Sequence, residues 1–226
     1  MGGQALEIIE YSTRTALAEG VSAALAAALT QDLNTTGRST LAVAGGTTPA
    51  PIFDLLSQEQ LDWANVEVMA SDERWVPTGN ERSNAKLIRA HLLQGPAANA
   101  GFIPFYQEGL TPEQGAAHLS ARLQNGPSVI LLGMGEDMHT ASLFPATEGL
   151  EAGLAADAPA CVVMRPDSQP EARISLSARL INAAGAKHLA IFGEGKRDAL
   201  QRAATISPEK APISAVLPNL KVHWAK

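Results

Sequence analysis

The segment 128–145 carries the side chains that are best suited to chemistry. A hydrophobic run over 128–132 predicts a strand, and Gly133 and Gly135 allow a tight turn after it. His139 follows on the resulting loop, with two carboxylates shortly before it and two hydroxyls shortly after it. Histidine changes its charge near neutral pH, so this position is suited to proton transfer. The alternative is a turn in which His139 only bonds to its neighbours.

A second candidate site is the segment 45–49, in which Gly45 and Gly46 are followed by Thr47 and Thr48. Glycine lets an anion approach the backbone amides, and the N–H groups at the start of the next helix add to the hydroxyls as phosphate donors. The segment lacks the P-loop lysine and the glycine spacing of dinucleotide sites, so no nucleotide is implied. The alternative is an ordinary strand-to-helix turn that needs glycine for its backbone angles.

Charged residues near the ends of other predicted strands complete the candidate site. Asp72, Glu73 and Arg74 follow a predicted strand. Adjacent residues of an extended chain point to opposite faces, so Asp72 and Glu73 are expected to have different roles. Arg173 precedes a predicted helix and Lys196 opens another, where a cation opposes the helix dipole and favours a nearby anion. The alternatives are an ion pair that steadies the loop at Asp72 and Arg74, and solvated surface charges at Arg173 and Lys196.

Composition excludes several classes of function. The formal net charge of −6 argues against nucleic acid or an anionic membrane as a partner, although local donors can still hold a small anion. No segment has the layout of a signal peptide or the length of a membrane span, which predicts a cytoplasmic protein. The single cysteine, Cys161, cannot form an internal disulfide, and we expect it to fill the core. No second histidine or cysteine cluster lies near Glu136, Asp137 and His139 in the sequence, so a metal site is not predicted.

Predicted strands and helices alternate along the whole chain. Strands are predicted at 6–10, 40–44, 66–70, 128–132, 161–164, 188–192 and 220–224. Helices are predicted at 12–29, from Pro49 onward, and at 83–93, 111–123, 177–184 and 196–203. Ser12 is the expected cap of the first helix, Ser83 and Asn84 are possible caps of the one at 83–93, and Thr111 with Gln114 is a predicted capping box. Strands separated by helices imply right-handed crossovers and a sheet covered on both faces. We therefore predict a three-layer, mostly parallel, doubly wound α/β fold in a single domain over 1–226, with the candidate sites together at the C-terminal ends of its strands.

Five segments, in this order, resemble the 6-phosphogluconolactonases. They are 45–49, 72–77 with Ser83 and Asn84, 132–145, 173–176 and 193–196, and the resemblance covers essentially the whole chain. It implies the sugar-phosphate isomerase type of α/β fold, which the glucosamine-6-phosphate deaminases share. It also implies hydrolysis of 6-phospho-D-glucono-1,5-lactone to 6-phospho-D-gluconate in the oxidative pentose phosphate pathway, without a metal or a cofactor. The residues after His139 have the lactonase form, whereas the deaminases have a continuation like Ala-Phe-Asn-Glu-Pro.

The resemblance also implies a role for each candidate residue. His139 is expected to be the general base that activates water against the lactone carbonyl. Arg74 is expected to steady the substrate or the developing oxyanion, and Asp72 to hold the sugar hydroxyls or Arg74. The 6-phosphate is expected to bind a set of backbone amides, hydroxyls and cations formed by Gly45, Gly46, Thr47, Thr48, Arg173 and Lys196. The expected partner is thus a small sugar phosphate, and the chain is expected to be a monomer or a weak homodimer.

One residue departs from the pattern of the family. Met138 stands where the family usually has glycine. If the loop needs a positive φ there, methionine is strained, and otherwise its side chain narrows the entrance of the pocket. Two alternative functions stay open. One is a deaminase or isomerase of the same fold, and the other is a sugar-phosphate-binding module without catalysis, for which Met138 is the one indication.

Overall fold

A parallel sheet forms the centre of the structure, a computed structural model that describes residues 6–46, 48–167 and 169–226. Within these residues the strands are β1 (Glu7–Tyr11), β2 (Ser39–Val43), β3 (Val66–Ala70), β4 (Asp72–Arg74), β5 (Gly101–Ile103), β6 (Val129–Leu132), β7 (Cys161–Met164), β8 (Arg173–Leu176), β9 (Ala186–Phe192) and β10 (Leu220–Ala225). The central sheet has the order β1-β10-β9-β6-β2-β3-β5, and its neighbouring strands are parallel. The predicted mostly parallel, doubly wound sheet is confirmed. Its winding direction reverses between β2 and β6, and such a switch point is where sheets of this kind bind ligands.

A second, antiparallel sheet in the order β4-β8-β7 was not expected. Two predictions are wrong here: the strand at 161–164 does not join the parallel sheet, and Arg173 does not follow a parallel strand. The physical reason is the short connection over 165–172, whose described residues form no helix, so β8 returns antiparallel to β7. On its other edge β8 pairs with β4, directly after β3. The second sheet thus brings Arg173 beside 72–74.

The helices begin at local signals that are readable in the sequence. Along the chain they are α1 (Arg14–Thr36), α2 (Ala50–Leu56), α3 (Asn84–His91), α4 (Pro112–Arg122), α5 (Leu150–Leu154), α6 (Ala178–Asn182) and α7 (Glu194–Ala203), with short 3-10 helices at Trp63–Asn65, Gly95–Asn99 and Pro212–Val216. The predicted capping box of Thr111 and Gln114 is confirmed at α4. For α1, the cap is Thr13 and not Ser12, because the Thr13 hydroxyl accepts the bond from the N–H of Ala16 (3.0 Å).

Both faces of the central sheet are buried. In β2, Leu41 and Val43 pack on the side of α1 and α2, while Ala42 between them packs on the side of the second sheet. Strand β6 repeats this alternation, so the sheet lies in the middle of three layers. Cys161 is 2% exposed, and burial raises the pKa of its thiol to about 12, which keeps it protonated and apolar in the core. In the described part of the chain, no helix is both long enough and apolar enough to span a membrane.

Candidate active site

A cavity of about 270 Å³ opens at the switch point of the central sheet, against the second sheet. The predicted site residues that line it are Gly45, Gly46, Thr48, Asp72, Arg74, His139, Arg173 and Lys196. Thr47 lies outside the described residues. The structure therefore brings together side chains from segments that are far apart in sequence. Asn84, which was assigned only a possible capping role, also lines the cavity.

Asp137 and Phe144 hold the ring of His139. Asp137 Oδ1 lies 2.5 Å from His139 Nδ1 and also accepts the backbone N–H of His139 (3.2 Å). This bond lowers the pKa of Asp137 and favours the tautomer in which Nδ1 carries the proton. The Phe144 ring packs at 4.3 Å between centroids. The imidazole is thus held at its Nδ1 edge by Asp137, and Nε2 is the nitrogen that can accept a proton. From the sequence, Asp137 was named only as a possible metal ligand, and a bond between His139 and an unspecified neighbour was left as an alternative. The spacing of two residues permits the bond that is observed.

Glycine is required at Gly135 because the His139 ring folds back over it. A Cβ at this position would overlap with Nδ1 of His139 and with Oδ1 of Asp137. The loop is closed by a bond from the N–H of Gly135 to the carbonyl of His139 (3.0 Å), and the N–H of Ile213 donates to the carbonyl of Met138 (3.0 Å). The second bond ties the histidine loop to the 3-10 helix Pro212–Val216.

Met138 adopts the backbone conformation that favours glycine. Its φ is +67°, so the strain considered for this position is present. The half-buried side chain packs against the core cluster on this side of the sheet. Strain in the backbone is therefore offset by side-chain packing, and the loop keeps the closed form that carries His139.

Changing Met138 to glycine and to alanine separates these two effects. Both changes remove the side chain, but only glycine relieves the positive φ. We expect Met138→Gly to be more stable than Met138→Ala by about 1 kcal/mol in urea unfolding. Glu136, an exposed residue of the same loop without a positive φ, is the control: there alanine should be at least as stable as glycine. Equal stability of the two Met138 variants would contradict the argument from strain.

The second sheet places Asp72 and Arg74 on one face and Glu73 on the other. Across the antiparallel pair, Asp72 is opposite Ser175 and Arg74 is opposite Arg173. Because side chains alternate along a strand, Asp72, Arg74 and Arg173 share the face that lines the cavity. The expectation that Asp72 and Glu73 have different roles is confirmed by their contacts.

Glu73 caps helix α3 and does not enter the cavity. Its carboxylate accepts the backbone N–H groups of Asn84 (2.8 Å) and Ala85 (2.7 Å) and the hydroxyl of Ser83 (3.0 Å). Burial raises the pKa of Glu73, and these hydrogen bonds lower it in part. The buried carboxylate thus fixes the start of α3 next to the cavity.

Asp72 lies at the centre of a cluster of buried polar side chains. It is 6% exposed, and its Oδ2 accepts the hydroxyl of Ser142 (2.5 Å) and lies 3.8 Å from Nη1 of Arg173. The N–H of Ser142 donates to the hydroxyl of Ser175 (3.1 Å). Ser142 is fully buried and its proton is directed to Asp72, which suits a structural link between the histidine loop and the second sheet better than a nucleophile.

Two guanidinium groups face the cavity side by side. Arg74 and Arg173 are cross-strand partners, and like charges directly opposite each other are unfavourable. Burial lowers the pKa of Arg173, Asp72 raises it, and Arg74 and Arg82 lower it further. Within the described residues, Nε of Arg74 and of Arg173 is buried without a hydrogen-bond partner. This arrangement favours an anion in the cavity.

The loop after β2 and the start of α7 form the other side of the cavity. Gly46 has a φ of +93°, and Lys196 is half-buried in the first turn of α7. Backbone amides and an ammonium group thus face the same space as the two arginines. In the described part of the chain, no group of at least three His, Cys, Asp or Glu side chains is arranged to hold a metal ion.

Known proteins are similar to this chain in sequence and in fold. The family model described as glucosamine-6-phosphate isomerases/6-phosphogluconolactonase matches residues 12–224. A 6-phosphogluconolactonase of Pseudomonas aeruginosa is 40% identical over 215 residues, which cover 92% of this chain and 90% of that protein. A 6-phosphogluconolactonase of Rhizobium meliloti is 40% identical over 219 residues, which cover 93% of this chain and 93% of that protein. The crystal structure of a 6-phosphogluconolactonase from Shewanella baltica, 34% identical, matches with a TM-score of 0.94 over 99% of both chains.

Proposed function

The chain belongs to the family of glucosamine-6-phosphate isomerases and 6-phosphogluconolactonases, and from this premise we propose that it hydrolyses 6-phospho-D-glucono-1,5-lactone with His139 as the general base. It is an enzyme of the lactonase branch, since the relatives that match over most of their length carry that name. The observation that carries the catalytic proposal is the bond between His139 and Asp137 in a cavity that also holds two arginines.

The proposed reaction needs one base and one site for negative charge. Nε2 of His139 takes a proton from water as the water oxygen attacks the lactone carbonyl, and Asp137 stabilises the imidazolium that forms. The guanidinium of Arg74 stabilises the oxyanion of the tetrahedral intermediate. When the intermediate collapses, the bond from C1 to the ring oxygen breaks, and the imidazolium returns the proton to that oxygen. The product is 6-phospho-D-gluconate, and no covalent enzyme intermediate is required.

The phosphate is proposed to bind at the loop after β2. Gly45, Gly46 and Thr48 offer amides and a hydroxyl there, and Lys196 and Arg173 offer positive charge. Thr47, outside the described residues, stays a predicted ligand of the same phosphate. Asp72 is proposed to hold the sugar hydroxyls, in addition to its bond with Ser142. Binding of the unreactive phosphate end positions the carbonyl beside His139.

The proposal includes a monomer or a weak homodimer and a single domain. The first and last strands, β1 and β10, pair with each other in the central sheet, which supports a single domain over 1–226. The lone cysteine is a buried thiol, which is compatible with the proposed cytoplasmic location.

Turnover of two sugar phosphates tests the proposed function. The purified protein is mixed with freshly prepared 6-phosphogluconolactone, and release of acid is followed against the spontaneous rate. We expect acceleration of lactone hydrolysis and no release of ammonia from glucosamine 6-phosphate. Ammonia release would support the deaminase reaction instead. Tight binding of 6-phosphogluconate with lactone hydrolysis at the spontaneous rate would support a binding module.

A further inference from the structure

Asn84 is a buried cavity residue to which the proposed mechanism gives no role. It is 2% exposed and is the first residue of α3. Its Nδ2 donates to the backbone carbonyl of Asp72 (2.7 Å) and lies 3.4 Å from the carboxylate of the same residue. The amide is therefore attached to the strand that carries one of the proposed substrate ligands.

The same amide packs against the loop after β2. A Cβ at Gly45 would overlap with the Cγ and Oδ1 atoms of Asn84, so the loop reaches its position only because Gly45 has no side chain. Gly45 in turn precedes Gly46 and Thr48, the proposed phosphate ligands. The side chain of Asn84 thus fills the space between Asp72 and the phosphate loop.

Glu73 fixes the backbone position of Asn84. The backbone N–H of Asn84 donates to the carboxylate of Glu73 (2.8 Å), and the neighbouring Ser83 donates to the same carboxylate (3.0 Å). Glu73 is 1% exposed and belongs to the second sheet. A residue held in this way can act as a spacer, because it cannot move without disturbing the start of α3.

We propose that Asn84 is a specificity-determining residue that sets the distance between the phosphate loop at Gly45 and the sugar-hydroxyl ligand Asp72. This inference rests on the proposed function, since it takes the phosphate to bind at that loop. A fixed distance selects phosphorylated lactones by the span from the phosphate to the hydroxyls of the ring. The six-carbon lactone, with a six-membered ring, spans it. The five-carbon lactone phosphorylated at its last carbon has a ring that is one atom smaller and does not reach both ends.

The ratio of kcat/KM for these two lactones measures the selection. One carbon of chain length is typically worth about 10- to 200-fold in discrimination. We expect Asn84→Ala to lower the preference for the six-carbon lactone by about 10-fold, because the loop and Asp72 can then approach each other. Thr111→Ala is the control: it removes the cap of α4, a helix whose residues do not line the cavity. It should lower the melting temperature and leave the preference unchanged.

The second pair of variants tests the contact at Gly45. Gly45→Ala should reduce kcat/KM for the six-carbon lactone, and the double variant Gly45→Ala with Asn84→Ala should recover part of that loss, since the overlapping amide is gone. An unchanged preference in Asn84→Ala, or no recovery in the double variant, would overturn the inference and leave Asn84 a structural residue. If the unmodified protein hydrolyses neither lactone, the proposed function fails and this inference fails with it.

Discussion

Replacing His139 with alanine is expected to lower kcat for 6-phosphogluconolactone by about 10²- to 10⁴-fold, the usual contribution of a general base. Its bond to Asp137 would be lost, but no hydrogen bond joins the ring to a described residue of the proposed phosphate site, and Arg173 is linked to the ring through Phe144. The dissociation constant of 6-phosphogluconate should therefore change by only a few fold. Stopped-flow turnover, corrected for the spontaneous rate, and calorimetric titration with 6-phosphogluconate give the two quantities.

Two further variants make this result specific. Lys196→Ala should show the opposite pattern, with weaker binding of 6-phosphogluconate and a smaller effect on kcat, because the proposed partner of the ammonium group is the phosphate and not the carbonyl. His118→Ala is the histidine control: His118 is exposed on α4 and contacts Gln107 (3.1 Å), away from the cavity. Nearly full turnover by the His139 variant would show that another group or the solvent accepts the proton.

The stability of the folded protein is expected to fall between about pH 6.5 and pH 4 because of a buried histidine pair. His188 on β9 and His223 on β10 are hydrogen-bonded to each other (3.0 Å), and His223 also bonds the hydroxyl of Tyr11 (2.9 Å). They are 3% and 1% exposed. Burial is the main reason that the pKa of each is lowered to about 4 from the ordinary 6.5, and the charge of Lys221 and, for His188, that of His223 contribute to this shift.

The direction of the effect follows from proton binding. Between these pKa values the unfolded chain binds protons at both histidines and the native protein does not, so the free energy of unfolding rises with pH. The contribution is complete above the unfolded pKa of 6.5 and is lost as the pH falls toward 4. A shift of this size corresponds to several kcal/mol for the pair. Urea unfolding at pH 7.5 and pH 5 should show a clearly lower midpoint at pH 5.

Replacing both His188 and His223 shows how much of the pH dependence of stability comes from this pair. In the double variant His188→Gln with His223→Gln, the difference between the two midpoints should shrink, whatever the stability at pH 7.5. The control is His91→Gln, because His91 is partly exposed and lies 2.8 Å from Asp54 at the surface. If the double variant keeps the full pH dependence, the histidine pair does not cause it and the carboxylates do.

Local features of the fold were predictable, and long-range pairings were not. The strand at 66–70 and the capping box at Thr111 depend on neighbouring residues, and both match the structure. The second sheet depends on the pairing of β4 with β8, and the pattern of these short segments does not specify a partner. The expectation that Arg173 lies at the C-terminal end of a parallel strand failed for this reason.

In the candidate site, too, local features were predictable and long-range contacts were not. Alternation along the chain correctly separated Asp72 from Glu73, because it depends only on adjacent positions. For Met138 the sequence left two alternatives, a strained positive φ or a side chain that narrows the pocket entrance. The structure shows the positive φ. The cavity role of Asn84 depends on its contact with Gly45 across the fold, and a helix-start pattern cannot reveal that contact.

The pairing of β4 with β8 has a consequence for the order of folding. Arg74 and Arg173 meet only after a long intervening stretch of chain has been closed, and closure of long loops makes such contacts late to form. We therefore expect the cavity face that carries Arg74 and Arg173 to be completed after the helices and after the pairing of β2 with β3, whose strands are closer in sequence. A bound phosphate ester would then stabilise contacts that are absent from the transition state, so it would slow unfolding much more than it would speed folding.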